Sequence, residues 1–139
     1  MYNKILVGYD GSENSKKALS VALEIAKNFN SCLEVVSAVH LPDFADIRDE
    51  INGIYEDARS YFEAALNEVK ELAEREGVEI HTKIVVGHTV ETLIEIAKKD
   101  KVDLIVVGSR GLTGLKRYLL GSVSRGIVAY APCSVLIVK

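Results

Sequence analysis

The tightest constraint on this chain is the run Leu104-Ile105-Val106-Val107, which is apolar without interruption and then breaks into Gly108-Ser109-Arg110-Gly111. A strand with one wet face alternates apolar and polar side chains. An unbroken run needs cover on both faces, which is the condition of a strand inside a parallel sheet layered between helices. Parallel neighbours cannot be joined by a hairpin, so the rest of the chain must supply crossovers, most economically as helices.

The remaining sequence reads that way. Residues 3–9 form a first strand around Ile5, Leu6 and Val7, followed by a helix that Ser12 or Ser15 can cap and that runs to about Asn28. Its apolar stripe is Ala18, Ala22, Ile25 or Ala26, and Phe29, at helical spacing. Cys32 to Val39 is the second strand, ended by His40-Leu41-Pro42-Asp43, and the acidic stretch 43–50 reads as a mobile loop. A long helix begins near Ile47 or Ile51 and ends at Glu76 before Gly77, carried by Ile51, Ile54, Ala58, Phe62, Ala65, Val69 and Leu72 or Ala73. Residues 78–86 alternate more, as a strand near the sheet edge does, and a helix capped by Thr89 with Val90, Leu93, Ile94 and Ala97 inward runs to about Lys101. The strand at 103–107, a helix from Ser122 to about Tyr130 and a strand from Ser134 to Val138 complete the chain.

This order, βαβαβαβαβ over 139 residues, predicts one α/β domain, a doubly wound five-stranded parallel sheet with helices on both faces. Ligands in such sheets sit beyond the carboxyl ends of the strands, where the winding reverses. Two strand ends carry unusual polar chemistry: Tyr9-Asp10-Gly11 after the first strand and Gly108-Ser109-Arg110 after the fourth. Placing those strands side by side gives the order 3-2-1-4-5.

The glycine spacing around the fourth strand, Gly108-x2-Gly111-x9-Gly121-Ser122, is that of an anion site. Glycines let backbone amides approach a ligand closely, Ser122 and Ser124 can cap the helix that starts there, and the helix dipole favours negative charge. Charge placement agrees. From Leu104 onward there is no Asp or Glu but five cations, Arg110, Lys116, Arg117, Arg125 and Lys139, whereas the first 103 residues hold all 20 acids against 12 bases. An electropositive pocket for a small anionic ligand follows.

Other readings are excluded. Gly114 is followed by Leu115, so there is no Gly-x4-Gly-Lys-Ser/Thr loop, and no Gly-x-Gly-x2-Gly follows the first strand. Asp10 stands alone where a phospho-accepting receiver would need an acidic pair. A pI near 5.6 without a basic tail argues against nucleic acid, and no apolar run is long enough to span a bilayer. The amino terminus enters a strand directly, so a cytoplasmic location is expected. Cys32 and Cys133 read as buried free thiols outside any metal-ligand spacing. His40, His81 and His88 read as surface histidines, and no protein metal site is expected.

ILVGYDGSENSKKAL at the start, VVGSRGLTGLKRYLLGSVSRGIV and the ending APCSVLIVK together resemble the universal stress protein family, in its ATP-binding branch, over the whole chain. The resemblance implies the adenine nucleotide alpha hydrolase-like fold. It implies that Gly8, Tyr9 and Asp10 line adenine and ribose, that Ala38 meets the adenine edge through its backbone, and that Gly108 lies against the ribose. Ser109, Arg110, Gly111, Leu112, Thr113, Gly114, Gly121, Ser122, Val123 and Ser124 would wrap the phosphates, with Mg2+ (or Mn2+) carried by the nucleotide. Where the family often has His with an acid at the end of the second strand, this chain has Ser37 and His40. No catalytic base stands out, so the resemblance implies an ATP-binding regulatory protein with slow or no hydrolysis. A nucleotide-dependent enzyme, with ATPase or adenylyl-type chemistry, and a nucleotide-free dimeric scaffold are the alternatives. The apolar strand Ser134 to Val138 reads as an edge needing a partner, and the resemblance implies a homodimer through it.

Overall fold

A computed structural model of the chain describes residues 1–41, 48–110 and 120–139, with the side chains of 48–50 left aside. Its strands are β1 (Lys4–Gly8), β2 (Cys32–Val39), β3 (Ile80–Val86), β4 (Leu104–Gly108) and β5 (Ser134–Val138). Between them run α1 (Glu13–Phe29), α2 (Arg48–Arg75), α3 (Thr89–Lys99) and α4 (Ser122–Tyr130). The strands form one sheet in the order β3-β2-β1-β4-β5, and every pairing is parallel.

Side-chain alternation along the strands divides the core in two. Ile5, Val7, Leu33, Val35, Leu104 and Val106 face α1 and α2, where Ala18, Leu19, Ala22, Leu66, Val69 and Ala73 meet them. Leu6, Val36, Ile105 and Val107 face the other way, against Leu93, Ile94 and Ala97 of α3 and Ile127 of α4. Leu104 to Val107 are all buried, each at 3% exposure or less, as an unbroken apolar run requires. Fully burying one such side chain contributes about 1.5–3 kcal/mol, so this strand and its neighbour β1 are the stiff centre on which the site is hung.

Local chemistry sets the helix ends. Ser12 caps α1, its Oγ accepting from the Ser15 amide at 3.2 Å. Asn30, in the left-handed conformation at φ 53°, closes the same helix with its amide on the Ala26 carbonyl. Gly77, at φ 73°, turns the chain after α2.

Several expectations change. The N-cap of α3 is His88, with no side-chain cap bond, rather than Thr89, which begins the helix itself. Gly121 rather than Ser122 is the N-cap of α4. α2 starts at Arg48, next to the earlier of its two expected beginnings, so 48–50 are helix rather than loop, and the remainder of the expected loop, 43–47, lies outside the described residues. β3 begins at Ile80, two residues into the predicted strand, because Val78 is used to end α2, its amide on the Ala73 carbonyl at 2.9 Å. Phe29 and Ile54 are 46% and 45% exposed, so neither belongs to the core. Phe29 packs edge-on against Tyr2 instead, with ring centroids 5.7 Å apart.

Candidate functional site

The sheet order makes β1 and β4 neighbours, with Ile5 opposite Leu104 and Val7 opposite Val106, so the two polar strand ends emerge side by side. What lies beyond them is assembled by backbone bonds. The Ser109 amide donates to the Val138 carbonyl at 2.8 Å, tying the end of β4 to β5. The Gly121 amide donates to the Ser109 carbonyl at 2.7 Å, returning the chain to the same strand end after the glycine loop. Ser124 Oγ lies 3.1 Å from that carbonyl and 3.0 Å from the Gly121 carbonyl, and the residue is 1% exposed. Its hydroxyl therefore faces inward to lock the turn, which is why it does not cap α4.

The start of α4 is consequently bare of side-chain caps and has no acid in its first turn. The first amides of a helix have no intrahelical partner, so Ser122, Val123 and Ser124 present donors with the positive end of the dipole behind them. A Cβ on Gly121 would sit 3.2 Å from the Ser109 carbonyl oxygen and 3.5 Å from Arg110 Cα, so glycine lets this helix start approach the strand end. This donor set suits an anionic group such as a nucleotide phosphate.

At the neighbouring strand end, Tyr9 is buried and held at both backbone atoms. Its amide donates to the Val36 carbonyl at 2.9 Å and its carbonyl accepts from Ser37 Oγ at 2.6 Å. Burial pushes the Tyr9 phenol above its ordinary pKa, and the nearby Tyr61 adds to the effect. Asp10 accepts the Ser12 amide on Oδ1 at 2.8 Å, an Asx turn that sets up the α1 cap, and remains half-exposed. Gly11, at φ 82°, carries Tyr61 of α2 directly above it, so any side chain there would meet the phenol oxygen. Ala38, one residue beyond Ser37, is half-buried and opposite Val85.

Gly8 and Gly108 also answer to packing. A Cβ on Gly8 would come within 2.9 Å of Leu93 Cδ1, and one on Gly108 within 2.8 Å of Asn14 Cβ and backbone carbon. Both glycines let a helix press on a strand end. Of the positions assigned from the sequence, the structure thus gathers Gly8, Tyr9, Asp10, Gly108, Ser109, Arg110, Gly121, Ser122, Val123 and Ser124 around the β1 and β4 ends. Gly111, Leu112, Thr113 and Gly114 lie outside the described residues.

Two participants escaped the sequence reading, Tyr61 and Asn14, and a third, Ser37, entered it only as a departure from the family pattern. Ser37 carried a usable signal, since a hydroxyl inside the apolar run Val35-Val36-Ser37-Ala38-Val39 must find a partner when buried. Tyr61 and Asn14 carried none, because their roles come from how α2 and α1 lie across the strand ends.

Elsewhere, His40 and His88 are exposed and their rings approach to 4.6 Å. Cys32 and Cys133 are free and half-buried rather than buried, and burial raises both thiol pKa values. A groove between α2 and β3, lined by Glu63, Asn67, Lys70, Thr82 and Lys83, mixes both charge signs on the flank of the sheet, away from the strand ends.

The pattern described as the universal stress protein family matches residues 1–139. A curated relative, universal stress protein MJ0531 of Methanocaldococcus jannaschii, is 39% identical over 141 residues, covering 100% of this chain and 83% of that protein. The solved structure of universal stress protein UspA from Lactobacillus plantarum superimposes with a TM-score of 0.94 at 23% identity, covering 99% of this chain and 98% of that one, a likeness of fold. A universal stress protein solved in complex with cAMP is 32% identical, with a TM-score of 0.76 and coverage of 99% and 97%.

Proposed function

The chain belongs to the universal stress protein family, and on that premise we propose that it is an adenine-nucleotide-binding regulatory domain whose preferred ligand is ATP. The observation that carries the proposal is the uncapped, acid-free start of α4 held against the β4 end by the Gly121–Ser109 bond at 2.7 Å. A relative at 32% identity binds cAMP at a structure of the same fold, which supports an adenine nucleotide over other anions.

In this reading the amides of Arg110 and Ser122 to Ser124 hold phosphate, joined by the Gly111 to Gly114 loop, while Ser109, whose amide is taken by the Val138 carbonyl, sets where that loop leaves the strand. The base and ribose lie toward Gly8, Tyr9, Asp10, Ala38 and Gly108. Hydrogen bonds to a charged phosphate contribute about 1.5–3 kcal/mol each. Four of them supply about 6–12 kcal/mol, a range that spans the roughly 8 kcal/mol of micromolar binding, so bonds near the upper end are needed to cover ordering costs as well. Mg2+ or Mn2+ would be held chiefly by the phosphates and water.

The domain is proposed to bind rather than turn over its ligand rapidly. Asp10 is the one acid among the assigned positions, and its Oδ1 is occupied by the Ser12 amide, so it is poorly placed to orient an attacking water. A homodimer through β5 is part of the same proposal. β5 pairs with β4 alone among the described residues, and Val128 and Tyr130 on the adjoining α4 are 55% and 71% exposed.

The test is calorimetric titration of nucleotide-stripped protein with Mg2+-ATP, AMP, cAMP and GTP, repeated on Gly111→Val, with light scattering for the dimer. Saturable binding with Kd near micromolar for ATP, weaker for GTP and lost in the variant, is expected. Absence of heat with every nucleotide refutes the proposal, and strong multiple turnover with a second substrate moves the domain to the enzymes.

A further inference from the structure

A second cluster with ligating chemistry lies at the opposite end of the sheet. Cys32 is the first residue of β2, and the Leu33 amide donates to the Glu79 carbonyl at 2.9 Å, fixing the register in which β3 begins beside it. Leu33 stands opposite Ile80 and Glu34 opposite His81. Side chains alternate along a strand, so Cys32, Glu79 and His81 all project from the face that carries Val36 and packs on α3. Cys32 Sγ, a Glu79 carboxylate oxygen and a His81 ring nitrogen lie within 4.8 Å of one another. At 3.3 Å per residue, the seven steps of β2 put this cluster about 23 Å from the candidate nucleotide site.

We propose that Cys32, Glu79 and His81 bind one divalent transition-metal ion of borderline softness, of which Zn2+ is the type, with a fourth position taken by water. The ligand set argues for that class. Thiolate with imidazole selects Zn2+ and its neighbours over Mg2+ and Ca2+, which prefer oxygen alone. Geometry argues for it as well. Zn2+ bonds of about 2.0–2.3 Å in a tetrahedron hold ligand atoms roughly 3.3–3.6 Å apart. His81 Nε2 and Glu79 Oε1 already stand at 3.4 Å. The remaining closure is within reach of rotamer changes, because the side chains of His81 and Glu79 are 63% and 71% exposed, while the strand holds Cys32 in place.

The surroundings tolerate a cation. Lys83, the nearest ammonium along β3, is engaged by Glu34 at 2.8 Å and by Asp100 at 3.4 Å. Lys4, opposite Cys32 in β1, gives its ammonium to the Asp100 carbonyl at 3.1 Å. Burial, with Glu79 adding to it, keeps the Cys32 thiol protonated, so binding replaces the thiol proton: one S–H bond is lost, one metal–sulfur bond forms and one proton is released to solvent. His81 ligates as the neutral imidazole. The bound ion would clip the start of edge strand β3 to β2.

The experiment is a titration of the full metal-free chain with Co2+, followed by Zn2+ displacement. One equivalent is expected to give a near-ultraviolet thiolate-to-cobalt band with visible absorption of tetrahedral strength. Cys32→Ser should abolish the band, Cys133→Ser should keep it, and His81→Gln and Glu79→Gln should each weaken binding at least tenfold. Should Cys32→Ser fail to fold, alkylation of the native chain decides. Stoichiometric Zn2+ should slow iodoacetamide labelling of Cys32, read by peptide mass, and leave Cys133 unchanged. No thiolate band, a band that follows Cys133, indifference to His81→Gln, or equal labelling with and without Zn2+ overturns the proposal and leaves His81 and Glu79 as a surface pair.

Discussion

Replacing Ser37 by Ala should destabilise the domain while removing almost no volume. The side chain is fully buried, and its Oγ donates to the carbonyl of Tyr9 at 2.6 Å. Tyr9 is itself 7% exposed, so water reaches that carbonyl poorly. Leaving a buried acceptor without its donor costs about 1–3 kcal/mol. Against this, the variant no longer buries a hydroxyl, and the lost atom leaves a void smaller than a methylene, so a net cost of about 2 kcal/mol is the working value. An unfolding entropy of about 2.1 cal/mol/K per residue over 139 residues gives close to 0.3 kcal/mol/K. The expected fall in Tm is therefore about 7 °C. Urea unfolding should show the same loss as a lower midpoint with an unchanged slope. Ser20→Ala, on the exposed face of α1, is the control and should stay within about 0.5 kcal/mol. A Ser37→Ala midpoint indistinguishable from the parent would mean that the Tyr9 carbonyl finds water. The tie between the ends of β1 and β2 would then not be what positions Tyr9.

Three further outcomes are expected. Gly108→Ala forces a methyl to within 2.8 Å of Asn14 Cβ and backbone carbon and should cost about 1–3 kcal/mol by overpacking. Gly53→Ala, with nothing within 4 Å inside α2, should stabilise by about 0.5–1 kcal/mol; urea midpoints moving the same way in both would contradict the packing argument. The Tyr9 phenol has its folded pKa raised above the ordinary tyrosine value of about 10, first by burial and then by Tyr61. Protonated Tyr9 thus contributes stability fully present below pH 10 and lost as pH rises through the folded value. Tyr9→Phe should accordingly lose less Tm than the parent in the alkaline range, and parallel pH profiles would refute it.

The strands were legible because burial on both faces writes itself as an unbroken apolar run. Ile5 to Val7 and Leu104 to Val107 needed no tertiary information, and their polar termini then implied the neighbours that set the order. Helix starts were less legible. Thr89 and Ser122 have the right hydroxyls, yet the caps fall on His88 and Gly121, because the preceding strand or loop determines where the backbone leaves the extended region. Phe29 and Ile54 keep the helical period but overrun the sheet, so periodicity alone assigned them to the core. The cluster of Cys32, Glu79 and His81 was invisible for a different reason. Metal-site spacing rules describe ligands on one turn or hairpin, whereas these residues meet through the parallel register of β2 and β3.

The candidate site is better understood by comparing the helix starts at the carboxyl end of the sheet. α1 satisfies its own first turn through Ser12 and carries Glu13 there. α3 lacks a side-chain cap but carries Glu91 in its first turn, which offsets the dipole. α4 has neither cap nor acid, and it lies in the segment that is free of acids from Leu104 to the end of the sequence. The three starts are equivalent in topology, so the fold alone does not choose among them; the side chains do. On the proposed function, the triphosphate therefore belongs at β4 and α4, where Arg110 and bare amides gather. The uncharged base belongs toward β1 and β2, where Tyr9, Ser37 and Ala38 offer a closed, backbone-satisfied wall. That polarity makes the phosphate end the source of affinity and the Tyr9 end the source of base selectivity, two properties that different substitutions should separate.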